Sequence, residues 1–184
     1  MFLTINITHT LNILYKIHII KHKGRYYMSE YKPFSKKLYD ENDGLAKSIA
    51  INFLHWTKRF KLEIPVEKQA EMYKKQDFEI TFLDKNRRVK VEVERKKVWT
   101  REGSWQGFST IDVPARKNKS EADVFIMVNY GCNTLAITLM KNILLSRVSS
   151  KKTIYTNNEE FFNVDLDKFR FYHKYNDRWR KIKP

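Results

Sequence analysis

The chain has 184 residues, of which 42% are hydrophobic and 14% aromatic, with one cysteine and a formal net charge of +15. This much apolar material excludes a disordered chain and suits one domain with a sizeable core. The single cysteine, Cys132, excludes an internal disulfide and a cysteine cage for a metal, and it fits a reducing cytoplasm.

The positive charge favours a polyanionic partner, and nucleic acid is the first choice because lysine and arginine neutralise phosphates. Two alternatives to a nucleic-acid partner stay open. An AT-rich genome enriches a protein in Lys, Asn and Ile without selection for charge, and an anionic membrane surface also attracts basic proteins.

Residues 1–27 contain an apolar stretch that is interrupted by Thr, Asn, His and Lys. The stretch lacks the basic leading region and the cleavage site of a secretory signal, and Lys16 argues against a membrane span. We therefore expect residues 1–27 to be an N-terminal extension or a peripheral strand, and residues 28–184 to form a single domain.

Two helices are predicted before the first long strands. Apolar residues recur at three- to four-residue spacing from Asn42 to Phe60, and Asn42 or Asp43 is suited to cap this helix. Pro65 suits the start of a second helix, Val66–Lys75. In that helix Glu71 is either half of a surface pair with Lys75 or an auxiliary acid beside Asp77.

The stretch from Asp77 to Lys96, DFEITFLDKNRRVKVEVERK, alternates apolar and polar residues and predicts an antiparallel hairpin. A turn centred on residues 85–86 places Phe78 opposite Val93 and Asp77 opposite Glu94. A turn centred on residues 86–87 keeps the same faces and places Asp77 opposite Lys96. Opposed carboxylates repel each other, so the polar face is either a cation site or a solvated surface of mixed charge.

The rest of the chain alternates between short strands and polar connections. Strands are predicted at 110–114, 122–129, 135–140 and 161–171, a short helix at 142–147 and a loop at 148–158. Trp105, in the loop after Lys96, either stacks on bases or packs into the core. A basic turn after Pro114 suits a phosphate backbone but is equally compatible with solvation; its residues are Arg116, Lys117 and Lys119.

The C-terminal tail from Phe169 onward interleaves aromatic and basic residues. This composition suits contact with nucleic acid. It equally suits a last element whose aromatic rings pack inward while Arg and Lys stay in water.

An acid at the start of one strand, followed by acid-x-lysine late in the next strand, resembles the PD-(D/E)XK nuclease superfamily, also called restriction-endonuclease-like. The matching residues are Asp77, Glu94 and Lys96, the last two in the string VEVERK. In order of elements the resemblance covers roughly residues 43–145. The residue before Asp77 is Gln76 rather than the proline of the family pattern.

The resemblance implies an α/β fold, with a central mixed β-sheet flanked by helices in one domain. It implies a Mg²⁺-dependent phosphodiesterase, with Mn²⁺ as an alternative ion, and a DNA endonuclease rather than an enzyme acting on RNA. Asp77 and Glu94 would bind the metal, Glu92 would complete the ligand shell or bind a second ion, and Lys96 would position the attacking water. The family often contributes an acid from an early helix, so Asp43 is either that acid, near the active site, or the cap of its helix. Members of the family are often dimers, so a homodimer is compatible with the resemblance.

Two other classes of function are also carried forward. The first is a non-catalytic nucleic-acid-binding module that uses the same basic surface. The second is a peripheral membrane or protein-interaction domain that uses the apolar N-terminus.

Overall fold

A computed structural model describes residues 19–22, 25–28, 36–62, 77–83, 86–153 and 158–184. The helices are α1 (Lys36–Thr57) and α2 (Met140–Leu144), and short 3-10 helices span Ala115–Lys119 and Leu166–Lys168. The strands are β1 (Ile19–His22), β2 (Arg25–Met28), β3 (Phe60–Leu62), β4 (Phe78–Phe82), β5 (Arg87–Lys96), β6 (Thr110–Pro114), β7 (Val124–Asn129), β8 (Thr134–Leu139), β9 (Arg147–Lys151), β10 (Glu159–Asp165), β11 (Arg170–Tyr175) and β12 (Arg178–Ile182).

The main sheet has seven strands in the order β12-β11-β8-β7-β5-β4-β3. Strands β5 and β7 run parallel, and the other described neighbours in this sheet are antiparallel. A second sheet has the order β6-β10-β9, and β1 pairs with β2. The predicted α/β class with a mixed sheet is confirmed.

Different layers cover the two faces of the main sheet. Helix α1 packs on one face, where Ala46, Ala50 and Phe53 join the apolar residues of β4, β5 and β7. The three-stranded sheet packs on the other face through the inward residues of β6 and β10, which are Ile111, Val113, Phe162 and Val164. Helix α2 joins this second face through Met140 and Ile143, so among the described residues helices contact both faces of the main sheet, and the small sheet shares one face with α2.

Helix α1 begins six residues earlier than predicted. Asn42 and Asp43 consequently lie within the helix, and their predicted capping role is wrong. The large apolar residues of the predicted helical pattern include Leu45, Phe53 and Trp56. Phe53 is buried, but Leu45 and Trp56 are each 43% exposed, and Ala46 and Ala50 are fully buried. Small alanines bring the helix axis close to the sheet, and the two exposed side chains lie at the margin of the contact.

The hairpin is present, but both predicted registers are wrong. Phe78 lies opposite Val91, Ile80 opposite Val89 and Glu79 opposite Lys90. The observed register differs from the predicted ones by two and four residues, so the apolar face is unchanged. Directly opposed carboxylates are replaced by a Glu–Lys pair, which is the electrostatically better arrangement.

The strands predicted after the hairpin are confirmed at β6, β7 and β8, with ends shifted by no more than two residues. The short helix begins at Met140 instead of Asn142, and β9 occupies part of the predicted loop 148–158. The predicted strand 161–171 is divided by the 3-10 helix Leu166–Lys168. In the tail Phe171 and Trp179 are buried and pack inward, whereas Tyr175 is 50% exposed. Contact of the tail with nucleic acid stays a prediction.

The predicted helix Val66–Lys75, with Glu71, lies outside the described residues. Neither α1 nor α2 combines the length and the apolar character that crossing a membrane requires.

Candidate active site

The candidate active site lies at the point where the pairing of β4 with β5 ends. The Asp77 amide donates to the Val91 carbonyl (2.9 Å), and the Val93 amide donates to Asp77 Oδ2 (2.6 Å). The pairing of β4 with β5 ends at Phe78 and Val91, while β5 continues to Lys96 alongside β7. The carboxylate of Asp77 thus takes the next ladder position, where these two hydrogen bonds fix the residue to β5.

Helix α1 supplies a lysine to this carboxylate. Lys47 Nζ lies 3.0 Å from Asp77 Oδ1 and 2.5 Å from Asp43 Oδ2, and the Lys47 side chain is only 8% exposed. Burial lowers the pKa of Lys47, but the charges and hydrogen bonds of Asp77 and Asp43 outweigh burial, and the net pKa is raised. Burial raises the pKa of Asp43 despite the hydrogen bond from Lys47.

The side chains of β5 that point away from α1 face the three-stranded sheet. They include Glu92, Glu94 and Lys96. Lys96 Nζ donates to the Asp112 carbonyl of β6 (2.6 Å) and lies 4.0 Å from Glu94 Oε1. The Glu94 side chain is 20% exposed. Among the described residues no hydrogen bond to its carboxylate is present, so Glu94 is open to a ligand.

One residue of the basic turn after β6, Lys117, points into this cluster. Lys117 Nζ donates to Glu92 Oε1, and Ser120 Oγ donates to Glu92 Oε2 (3.2 Å). Burial lowers the pKa of Lys117, but the charges of Glu94, Glu92 and Asp77 raise it overall. Burial raises the pKa of Glu92, with the Lys117 charge acting against it. Lys117 therefore lies among the three carboxylates that the sequence assigned to a metal.

Each of the three predicted acids of the site has a lysine nearby: Lys47 beside Asp77, Lys117 beside Glu92 and Lys96 beside Glu94. In the described part of the chain, no three His, Cys, Asp or Glu side chains form a metal-binding group. The carboxylates of Asp77 and Glu94 nevertheless have the oxygen chemistry that Mg²⁺ prefers, and that of Glu94 is open. Glu92 is already bonded to Lys117 and Ser120, and its role as a metal ligand stays a prediction.

The other predicted contact residues lie away from this cluster. Arg116 is exposed and pairs with Glu159 (2.7 Å), and Lys119 is exposed at the surface. Trp105 is only 6% exposed and packs edge-on against Trp99, with ring centroids 5.2 Å apart. The stacking role predicted for Trp105 is corrected, because a ring in the core presents no open face to a base.

Sequence reasoning missed Lys47 and Asp112. The spacing of Asp43 and Lys47 is that of a helical ion pair, but it does not reveal that the pair reaches Asp77. The backbone carbonyl of Asp112 accepts a hydrogen bond from Lys96. Because every residue has a carbonyl, the residue type could not predict this contact. The Asp112 carboxylate accepts from Lys151 Nζ and Asn163 Nδ2, each at 2.6 Å.

Comparison of the chain with protein-family models, with curated proteins and with solved structures gives no match.

Proposed function

We propose that the protein is a metal-dependent nuclease of the PD-(D/E)XK type that hydrolyses phosphodiester bonds, with DNA as the first candidate substrate. The observation that carries the proposal is the position of Asp77, which is fixed at the separation of β4 and β5 beside the strand that holds Glu94 and Lys96. Helix α1 precedes Asp77 in the chain. The antiparallel hairpin β4–β5 follows it, and then β7, which runs parallel to β5. This is the order of elements on which the resemblance rests.

Asp77 and Glu94 would hold the metal. Bound Mg²⁺ would polarise the scissile phosphate and stabilise charge on the departing oxygen. Lys47, which is itself paired with Asp43, holds Asp77 from the α1 side, and this limits the freedom of the Asp77 carboxylate. A fixed carboxylate loses less entropy when it binds a ligand than a mobile one.

Lys96 would orient water or a phosphate oxygen. An ammonium has three N–H donors, and the Asp112 carbonyl accepts one of them at 2.6 Å. The remaining donors are available to substrate beside Glu94. A preorganised cation at this place stabilises the charge that develops on the phosphoryl oxygens in the transition state.

The test is incubation of circular and linear DNA with the wild-type protein and with Glu94→Ala, each with and without Mg²⁺. Cleavage of the circle by the wild type alone, and only with the metal, is expected. Structured RNA in parallel reactions decides between the two nucleic acids. Absence of cleavage in both Mg²⁺ and Mn²⁺, or equal cleavage by the variant, would contradict the proposal.

A non-catalytic nucleic-acid-binding module is the second candidate, and one observation favours it. Asp77 and Glu92 are already paired with Lys47 and Lys117, so the cluster does not require a metal for charge balance. Binding that weakens steeply with salt, without hydrolysis in either metal, would support this candidate.

A further inference from the structure

A groove of about 640 Å³ lies away from the candidate active site. It is formed by the end of α2 with the segment that follows it, and by the three-stranded sheet. The sheet contributes the face that points away from the core, because Thr110 and Asn163 line the groove while their neighbours Ile111 and Phe162 are buried. The volume falls within the range of about 300–1,000 Å³ that is usual for small-molecule sites.

The groove is basic. Arg147, Lys151 and Lys168 line it together with Asp165. Lys151 is already paired with the Asp112 carboxylate at 2.6 Å, so the cations that can meet a ligand are Arg147 and Lys168. Arg147 is exposed and forms no ion pair with the described residues. Lys168 pairs with Asp167 at 3.1 Å but remains about half exposed. This balance of charge favours an anionic ligand.

The groove also contains a polar atom without a partner. Ser149 Oγ is buried and forms no hydrogen bond with any described residue. Buried hydroxyl groups are normally satisfied, and an oxygen of a bound ligand would satisfy this one. Leu145, which also lines the groove, is 85% exposed and offers an apolar contact beside the cations.

We infer that this groove binds a phosphate ester of nucleotide size. Arg147 and Lys168 would hold the phosphate, since arginine matches phosphate oxygens with paired N–H donors. Ser149 would donate to a phosphate or sugar oxygen, and Leu145 would contact the sugar or base. The phosphate ester is either a free nucleotide or one unit of a nucleic-acid strand, and binding does not depend on the proposed nuclease chemistry.

The groove is connected to the candidate active site through one residue. Lys151 donates to the Asp112 carboxylate, and Lys96 donates to the Asp112 carbonyl. A strand bound in the groove would therefore lie beside the residue that positions Lys96.

The test measures binding in EDTA, so that cleavage does not interfere. The probes are AMP and adenosine by calorimetry, and a labelled oligo(dT) by fluorescence anisotropy. The variants are Arg147→Gln, Lys168→Gln and Ser149→Ala. Arg170→Gln is the matched control because Arg170 is exposed on β11 and does not line the groove. Thermal melting of each variant verifies the fold.

We expect the wild type to bind AMP or the oligonucleotide but not adenosine. Arg147→Gln and Lys168→Gln should each weaken binding by about tenfold, as loss of a charged hydrogen bond does, while Arg170→Gln changes it less than about twofold. If the groove variants weaken only the binding of AMP, the ligand is a free nucleotide. If the wild type does not bind AMP and the groove variants weaken the binding of the oligonucleotide, the ligand is a nucleic-acid strand. Binding of neither probe, or equal binding by the groove variants and the control, would overturn the inference.

Discussion

Lys47 on α1 and Asp77 immediately before β4 form an ion pair with a distance of 3.0 Å between Nζ and Oδ1. Both side chains are largely buried, and Lys47 also holds Asp43. The pair therefore joins the helix to the point where β4 and β5 separate, which is the point on which the candidate active site is built.

Replacement of Lys47 by Met should destabilise the fold by about 3 kcal/mol, because Asp43 and Asp77 both lose the cation that compensates their burial. Urea denaturation at neutral pH measures the change. Lys97→Met, at an exposed position just after β5, is the control and should leave the free energy of unfolding nearly unchanged. A Lys47→Met variant as stable as this control would show that the pair contributes little.

The loss in free energy of unfolding caused by Lys47→Met should become smaller as the pH falls. Burial already raises the pKa of Asp43 above its ordinary value of 3.8, and loss of Lys47 removes the opposing interaction. A carboxyl whose pKa is raised in the folded state favours folding below its unfolded pKa, and this contribution is lost as the pH rises through the folded pKa. Urea midpoints of variant and wild type should therefore converge towards about pH 4, and a constant difference would contradict the assignment.

Glu94→Gln and Lys96→Met should each reduce metal-dependent cleavage at least about a hundredfold, since each removes a charge placed for the transition state. The fold of Glu94→Gln should be intact, because no described residue donates a hydrogen bond to Glu94. Cleavage rates and thermal melts measure the two effects. Glu102→Gln, at an exposed acid in the loop after β5, is the control and should retain cleavage. Wild-type rates in both site variants would remove the assignment.

Lys117→Met should lower the melting temperature, because Glu92 loses its ion-pair partner among neighbouring carboxylates. Added MgCl₂ should restore more stability to this variant than it adds to the wild type, since a bound cation would replace the ammonium. Lys119→Met, in the same 3-10 helix but exposed, is the matched control. Identical effects of MgCl₂ on the two variants would show that Lys117 does not occupy a cation position.

Cys132 should react slowly with iodoacetamide. Burial raises the pKa of its thiol, although Arg95 acts in the opposite direction, so less thiolate is present at about pH 8 than in the unfolded chain. The rate should rise with pH and should be higher in urea. Arg95→Gln should slow the reaction further, and a rate in the native protein equal to that in urea would contradict this expectation.

Local patterns were sufficient for several elements. The alternation in 110–114 identified β6, because alternation is typical of a strand that is buried on one face. The apolar run in 122–129 identified β7, because a continuous run is typical of a strand that is buried on both faces. The same patterns could not fix the hairpin register. A slip by two residues leaves every side chain on its face, and the pairing of Glu79 with Lys90 distinguishes the observed register by charge.

The hairpin with its acid-and-lysine face and the excess of positive charge could be predicted from the sequence, because both depend only on residue order and composition. The α/β class was expected from the resemblance to the PD-(D/E)XK superfamily. The tertiary structure alone decided that Lys117 points inward to Glu92, that Lys47 reaches Asp77 from α1, and that Trp105 packs on Trp99. These contacts depend on groups that distant segments of the chain supply: carboxylates from other elements surround Lys47 and Lys117, and Phe171 helps to complete the apolar cluster that contains Trp99 and Trp105.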